Sequence, residues 1–130
     1  MREPRIFSRR VRHPLSELAE VAKRYYLSYK NPHERVENFL LRNEKRTIAI
    51  EVPVWFLTDE PFSGLTGHID ILRLTDRIEI WDYKPQADRK KFASSQLFWY
   101  AQMLARRLEL EIENFRCFYF DEKKTYFFEF

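Results

Sequence analysis

Two strand-length apolar segments, joined by only two residues and each carrying an aspartate in its interior, constrain this chain more than anything else in it. GLTGHIDILRL runs to Leu74 and RIEIWDYK runs from Arg77 to Lys84, so Thr75 and Asp76 leave room only for a tight hairpin. Asp70 and Asp82 are thereby expected on neighbouring strands. A carboxylate inside a sheet is expensive unless it pairs with a cation, accepts hydrogen bonds or binds a metal. Residues two apart on a strand share a face, which sets Asp82 and Lys84 side by side with Ile78 and Ile80 behind them.

The flanking segments supply a sheet and its cover. Leu15, Leu18, Val21, Ala22, Tyr25 and Tyr29 recur at helical steps and predict an amphipathic helix that stops near Lys30. Asn31 and Pro32 form an N-cap and first-turn proline for a second helix through Val36, Phe39 and Leu40, ending around Arg42 to Glu44. Thr47 to Phe56 has strand composition, with Pro53 pointing to an edge or a bulge, and 57–64 is expected to be a loop. Pro85 ends the hairpin's second strand. A helix from Arg89 to Leu108 follows, with Ala93, Leu97, Ala101, Leu104 and Leu108 in one stripe. FRCFYF and TYFFEF, on either side of Asp121 to Lys124, are the last strands. The expected class is α/β, a mixed sheet with helices packed on it.

Length and apolar content fit one compact domain over residues 1–130, whose first 14 residues form a basic arm with Arg2, Arg5, Arg9, Arg10, Arg12 and His13. The net charge of +3 does not by itself imply a polyanionic partner. The arm and a second cluster, Arg89, Lys90 and Lys91, each read equally well as phosphate contacts or as solvated surface. A lone Cys117 excludes an intramolecular disulfide and a cysteine-held zinc or iron–sulfur cluster, and fits a reducing cytosol as a small buried residue. The start has no apolar signal region, and no apolar run approaches the roughly 20 residues that span a bilayer. A cytoplasmic protein with no membrane partner is expected.

If the hairpin brings Asp70 beside Asp82, two carboxylates and the backbone carbonyl of Tyr83 make an all-oxygen site suited to Mg²⁺ or Mn²⁺. Lys84 beside it can orient a water or stabilise negative charge. The competing reading is structural: Asp82 and Lys84 neutralise each other and Asp70 caps the hairpin. Spacing alone leaves both open.

Gly67-His68-Ile69-Asp70, then Asp82-Tyr83-Lys84, then Gln96 and Tyr100 four residues apart, with Glu51 in Glu51-Val52-Pro53 upstream, are four features in a fixed order. In these the chain resembles the PD-(D/E)XK nuclease superfamily, and within it the RecB-like branch, through the GxxD, (D/E)xK and QxxxY motifs over roughly Pro32 to Phe120. The resemblance implies a restriction-endonuclease-like αβββαβ core and a divalent-metal-dependent nuclease acting on DNA phosphodiester bonds, in repair, recombination, or CRISPR or viral DNA processing. It implies that Asp70 and Asp82 bind the metal, that Lys84 is catalytic, and that Gln96 and Tyr100 support the site or contact DNA. Ordinary helix packing remains the alternative for that last pair, and Glu51 is placed evenly between site support and an arginine partner.

The family's further metal ligand on the first helix corresponds to His33 or Glu34, although Asn31 with Glu34 equally fits a capping box, and Glu37 is a further candidate one turn later. His68 is read as structural. The chain departs from family members that carry an iron–sulfur cluster. The alternatives to an independent enzyme are a non-catalytic nucleic-acid-binding module and a subunit of a larger nuclease complex. Self-association into a homodimer through the edge of TYFFEF is a further expectation.

Overall fold

The computed structural model describes residues 6–56, 65–90 and 92–130, so the loop expected at 57–64 lies outside the described residues. The described elements are β1 (Arg9–Val11), α1 (Pro14–Tyr25), α2 (Pro32–Asn43), β2 (Thr47–Phe56), β3 (Leu65–Leu74), β4 (Ile78–Tyr83), α3 (Ala93–Leu108), β5 (Phe115–Phe120) and β6 (Thr125–Glu129).

Both early helices start on a cap followed by proline. His13 Nδ1 accepts the N–H of Leu15 at 3.1 Å ahead of α1, and Asn31 Oδ1 accepts the N–H of His33 at 2.7 Å ahead of α2. Pro14 and Pro32 take first-turn positions, where a missing N–H leaves no helical bond unmade. α1 ends at Tyr25, earlier than its apolar spacing suggests, and its buried stripe is Leu15, Ala19 and Ala22, whereas Tyr25 is 67% exposed. Arg35 of α2 accounts for the early stop. Its Nε donates to the carbonyl of Tyr29 and its Nη1 to that of Lys23, so two carbonyls at the α1 terminus are satisfied from outside the helix.

The strands form one mixed sheet in the order β1-β6-β5-β4-β3-β2. Only β4 and β5 are parallel, and the crossover between them contains α3. Side chains alternate cleanly along β5. Phe115, Cys117 and Tyr119 enter the core under α3 with Leu97, Ala101 and Ile80, whereas Phe118 and Phe120 enter the core under α1 and α2 with Leu15, Leu40 and Trp81. The buried Cys117 thiol is pushed up by desolvation and is no nucleophile.

Pro53 sits on the edge strand β2, as its missing donor requires. The opposite edge corrects two expectations. Arg9–Val11, inside the stretch read as a free basic arm, pairs antiparallel with β6, so the TYFFEF edge is covered there rather than open to a second chain. Arg9 also lays its guanidinium over Phe127, 4.5 Å from the ring centroid. α3 begins at Ala93 rather than Arg89, after a 3₁₀ turn at Ala87–Arg89 whose first N–H is held by Asp121 Oδ2 at 2.9 Å. Its stripe ends at Leu104, since Leu108 is 49% exposed.

At the hairpin end of β3 and β4 a buried polar network closes the sheet. Arg73 donates to Glu79 at 2.7 Å and contacts Glu44 at 3.2 Å, and the indole of Trp81 donates to Glu79 at 2.9 Å. Among the described residues no helix is long and apolar enough to cross a membrane.

Candidate active site

Regular strand alternation breaks at one level of the sheet. Ile71 faces the α1/α2 core opposite Trp81, yet Ile69, two residues away, lies in the core under α3. On β2 the same exchange occurs between Ile50 and Val52, the register partners of Ile71 and Ile69. An acid stands at each break: Asp70 on β3 and Glu51 on β2. Glu51 has φ 51°, a left-handed conformation that costs a non-glycine residue about 1–3 kcal/mol and that persists where surrounding structure enforces it. The β3–β4 ladder ends at Ile71 and Trp81, and beyond it Asp70 Oδ2 accepts the N–H of Tyr83 at 3.0 Å. The carboxylate thus takes the place of a strand carbonyl and opens a notch in the sheet.

Helix α2 delivers a third acid into the notch. Glu37 lies beside Val36 and Leu40 on the buried face and is only 1% exposed. Glu37, Glu51 and Asp70 bring carboxylate oxygens within 4.8 Å of one another. Asp82, 4% exposed, joins from β4 through a hydrogen bond with Asp70. Burial, then the hydrogen bond to Glu51 and the charges of Asp70, Glu51 and Asp82, push the Glu37 carboxyl up to about 10. Burial and Asp82 push Asp70 upward as well, against the opposing pull of the Tyr83 N–H and Lys84.

Two buried carboxylate oxygens, Glu37 Oε2 and Asp82 Oδ2, have no hydrogen bond. Asp82 Oδ2 has a charge contact instead, 2.9 Å from Lys84 Nζ. Four acids facing one cation leave the cluster short of positive charge, and unsatisfied buried oxygens in a well-packed fold mark a place for an ion. Every donor is a hard oxygen, which suits a hard divalent cation.

Helix α3 closes the other side. Gln96 Nε2 donates to the hydroxyl of Tyr100 at 2.8 Å, and the Tyr100 ring lies directly on Gly67. A Cβ at position 67 would fall 2.8 Å from Tyr100 Cζ and 3.0 Å from its hydroxyl oxygen. The glycine of GxxD therefore makes room for the tyrosine of QxxxY, and no unusual φ is involved. Gly67, Gln96 and Tyr100 hold β3 and α3 together behind Asp70.

His33 and Glu34 do not enter the carboxylate cluster. Glu34 is exposed in the first turn of α2, and His33 packs edge-on to the Tyr83 ring at 5.1 Å and lines the adjoining cleft. Glu37 is the α2 residue in the cluster. The sequence holds a signal for it, since Val36, Glu37 and Leu40 share one helix face, but which face meets the sheet is decided by packing. His68 is exposed, as befits a residue outside the cluster.

The cleft has a volume of about 690 Å³ and is bordered by Lys84, Arg89, Lys90, Phe92 and Gln96 as well as His33. An acidic notch able to hold a divalent cation, with a lysine at its rim and a cationic cleft beside it, can bind and polarise a phosphodiester. A search among curated proteins finds no match. A profile of the PD-(D/E)XK nuclease superfamily, whose members are generally metal-dependent nucleases, matches residues 2–127. Sheet, notch and profile agree, and the chain belongs to the PD-(D/E)XK nuclease superfamily.

Proposed function

We propose that this protein is a RecB-like deoxyribonuclease that hydrolyses DNA phosphodiester bonds with Mg²⁺ or Mn²⁺. The observation that carries the reading is the convergence of Glu37, Glu51, Asp70 and Asp82 on one notch with two buried oxygens left without donors. Asp70, Asp82 and the carbonyl of Tyr83 would hold the cation, with Glu37 completing the set from α2 and Glu51 closing it from β2. When bound, the cation supplies a Lewis acid for the phosphoryl oxygen and lowers the pKa of an attacking water.

The chain's own residues do the rest. Lys84, anchored at 2.9 Å by Asp82, presents a fixed positive charge at the rim and stabilises the negative charge that develops on the phosphate. Tyr83 donates its N–H to Asp70 and so fixes the carboxylate's orientation. Gln96 and Tyr100 keep β3 registered against α3. Asp121 anchors the turn that carries Arg89 and Lys90 to the mouth of the cleft, where their charges attract the DNA backbone.

The test is cleavage of end-labelled linear and closed circular DNA, single- and double-stranded, with Mg²⁺, Mn²⁺ or EDTA. The expected result is metal-dependent cutting by the wild type, reduced by about 10²-fold or more in Asp82→Ala and Lys84→Ala. Binding without cutting in any metal would show instead a non-catalytic module or a subunit that needs a partner.

A further inference from the structure

Phe92 is the N-cap residue of α3, and nothing in the fold explains why it is there. N-cap positions favour Ser, Thr, Asp or Asn, whose oxygen accepts a first-turn N–H. Phe92 makes no such bond, contributes to neither core cluster, and leaves 67% of its surface in solvent. Its ring borders the cleft beside Lys84, together with Arg89, Lys90, His33 and Gln96. No carboxylate lines this cleft, whereas the two other large clefts each contain acids, Glu17 and Glu122 in one and Asp88, Asp121 and Glu122 in the other. Arg89 and Lys90 form no ion pair among the described residues.

We infer that this cleft takes an unpaired nucleotide next to the scissile phosphate, with Phe92 as the stacking surface for its base and Arg89 and Lys90 on the backbone phosphates. The inference rests on the nuclease reading for the position of the scissile phosphate and adds the form of substrate. An exposed aromatic ring among cations is the combination that binds single strands, because an unpaired base offers its π-face and a duplex keeps that face inside its own stack. The volume of about 690 Å³ is of the order of one or two nucleotides and too small for a duplex about 20 Å across. Single-stranded DNA, or a frayed or flapped end, is therefore the preferred substrate over an intact duplex.

The test separates the ring from the charge. Binding of a fluorescent single-stranded oligonucleotide, and of a blunt duplex of equal length, is measured by anisotropy in EDTA for the wild type, Phe92→Leu, Phe92→Trp and the double variant Arg89→Ala/Lys90→Ala. Melting temperatures confirm that each variant is folded. Phe92→Leu should weaken single-strand binding about ten-fold, leave duplex binding within about two-fold and be rescued by Phe92→Trp, as expected for the loss of one base–aromatic stack. The double variant should weaken both and flatten the salt dependence. Equal single-strand binding by Phe92→Leu and the wild type, or an equal loss on both DNAs, overturns the inference even if the protein cuts DNA. Phe92-dependent single-strand binding without metal-dependent cutting would uphold the binding mode and defeat the nuclease reading.

Discussion

Glu37→Gln should stabilise the metal-free protein, although it removes a fully buried side chain's charge and adds no contact. Glu37 is 1% exposed and faces Glu51, Asp70 and Asp82, so its carboxyl is raised from 4.5 to about 10. A carboxylate whose folded pKa lies above the unfolded value holds its proton more tightly in the fold. The stability this contributes is complete below about pH 4.5 and is lost as pH rises towards 10. At pH 8 the 3.5 pH units above the unfolded value, at about 1.4 kcal/mol each, set an upper bound of about 5 kcal/mol. Water entry and movement of Lys84 reduce this to about 2 kcal/mol, given effective interior dielectrics near 20. Glutamine keeps the shape and can still donate to Glu51 without having to take up a proton. In EDTA at pH 8 the variant should melt about 6–10 °C above the wild type, and at pH 4.5 the two should coincide. Millimolar Mn²⁺ should raise the wild-type melting temperature and narrow the gap. A variant that melts below the wild type in EDTA at pH 8, or a difference that ignores pH, would refute the reasoning.

Three other outcomes follow from separate parts of the structure. Gly67→Ala drives a methyl group into the Tyr100 ring and should cost about 1–3 kcal/mol, read by denaturant unfolding, with a matching loss of the Gln96–Tyr100 bond. Arg73→Ala strips the only cation from buried Glu79 and should cost about 3–5 kcal/mol, far more than removing an exposed ion-pair partner such as Arg24. Asp121→Ala frees the N–H of Ala87 and loosens the turn that carries Arg89 and Lys90, so DNA affinity should fall while circular dichroism stays that of the native fold.

The strand hairpin was legible because period-two alternation and a two-residue turn allow little else, and the contact between Asp82 and Lys84 follows from that same period. The start of α2 was legible from Asn31-Pro32, whose chemistry is local. What escaped was tertiary. Arg9–Val11 is a strand only because β6 offers it an edge, and its two arginines carry no strand signal of their own. α1 stops at Tyr25 because Arg35, on another helix, takes its carbonyls. The left-handed turn at Glu51 and the matching break at Asp70 cannot be read from a pattern that looks like unbroken alternation. The notch exists only because those two irregularities face each other, and the entry of Glu37 rather than Glu34 depends on the rotation of α2 against the sheet.

Convergence of these acids on a divalent cation is tested most directly by Mn²⁺ binding, followed by electron paramagnetic resonance at pH 7.5 in the wild type, Asp70→Asn and Glu37→Gln. The account predicts saturable binding by the wild type, weakened about ten-fold or more by Asp70→Asn and measurably by Glu37→Gln, with the affinity falling as pH is lowered and protons compete for the same oxygens. Undiminished Mn²⁺ binding in Asp70→Asn, or no saturable binding by the wild type, would contradict it.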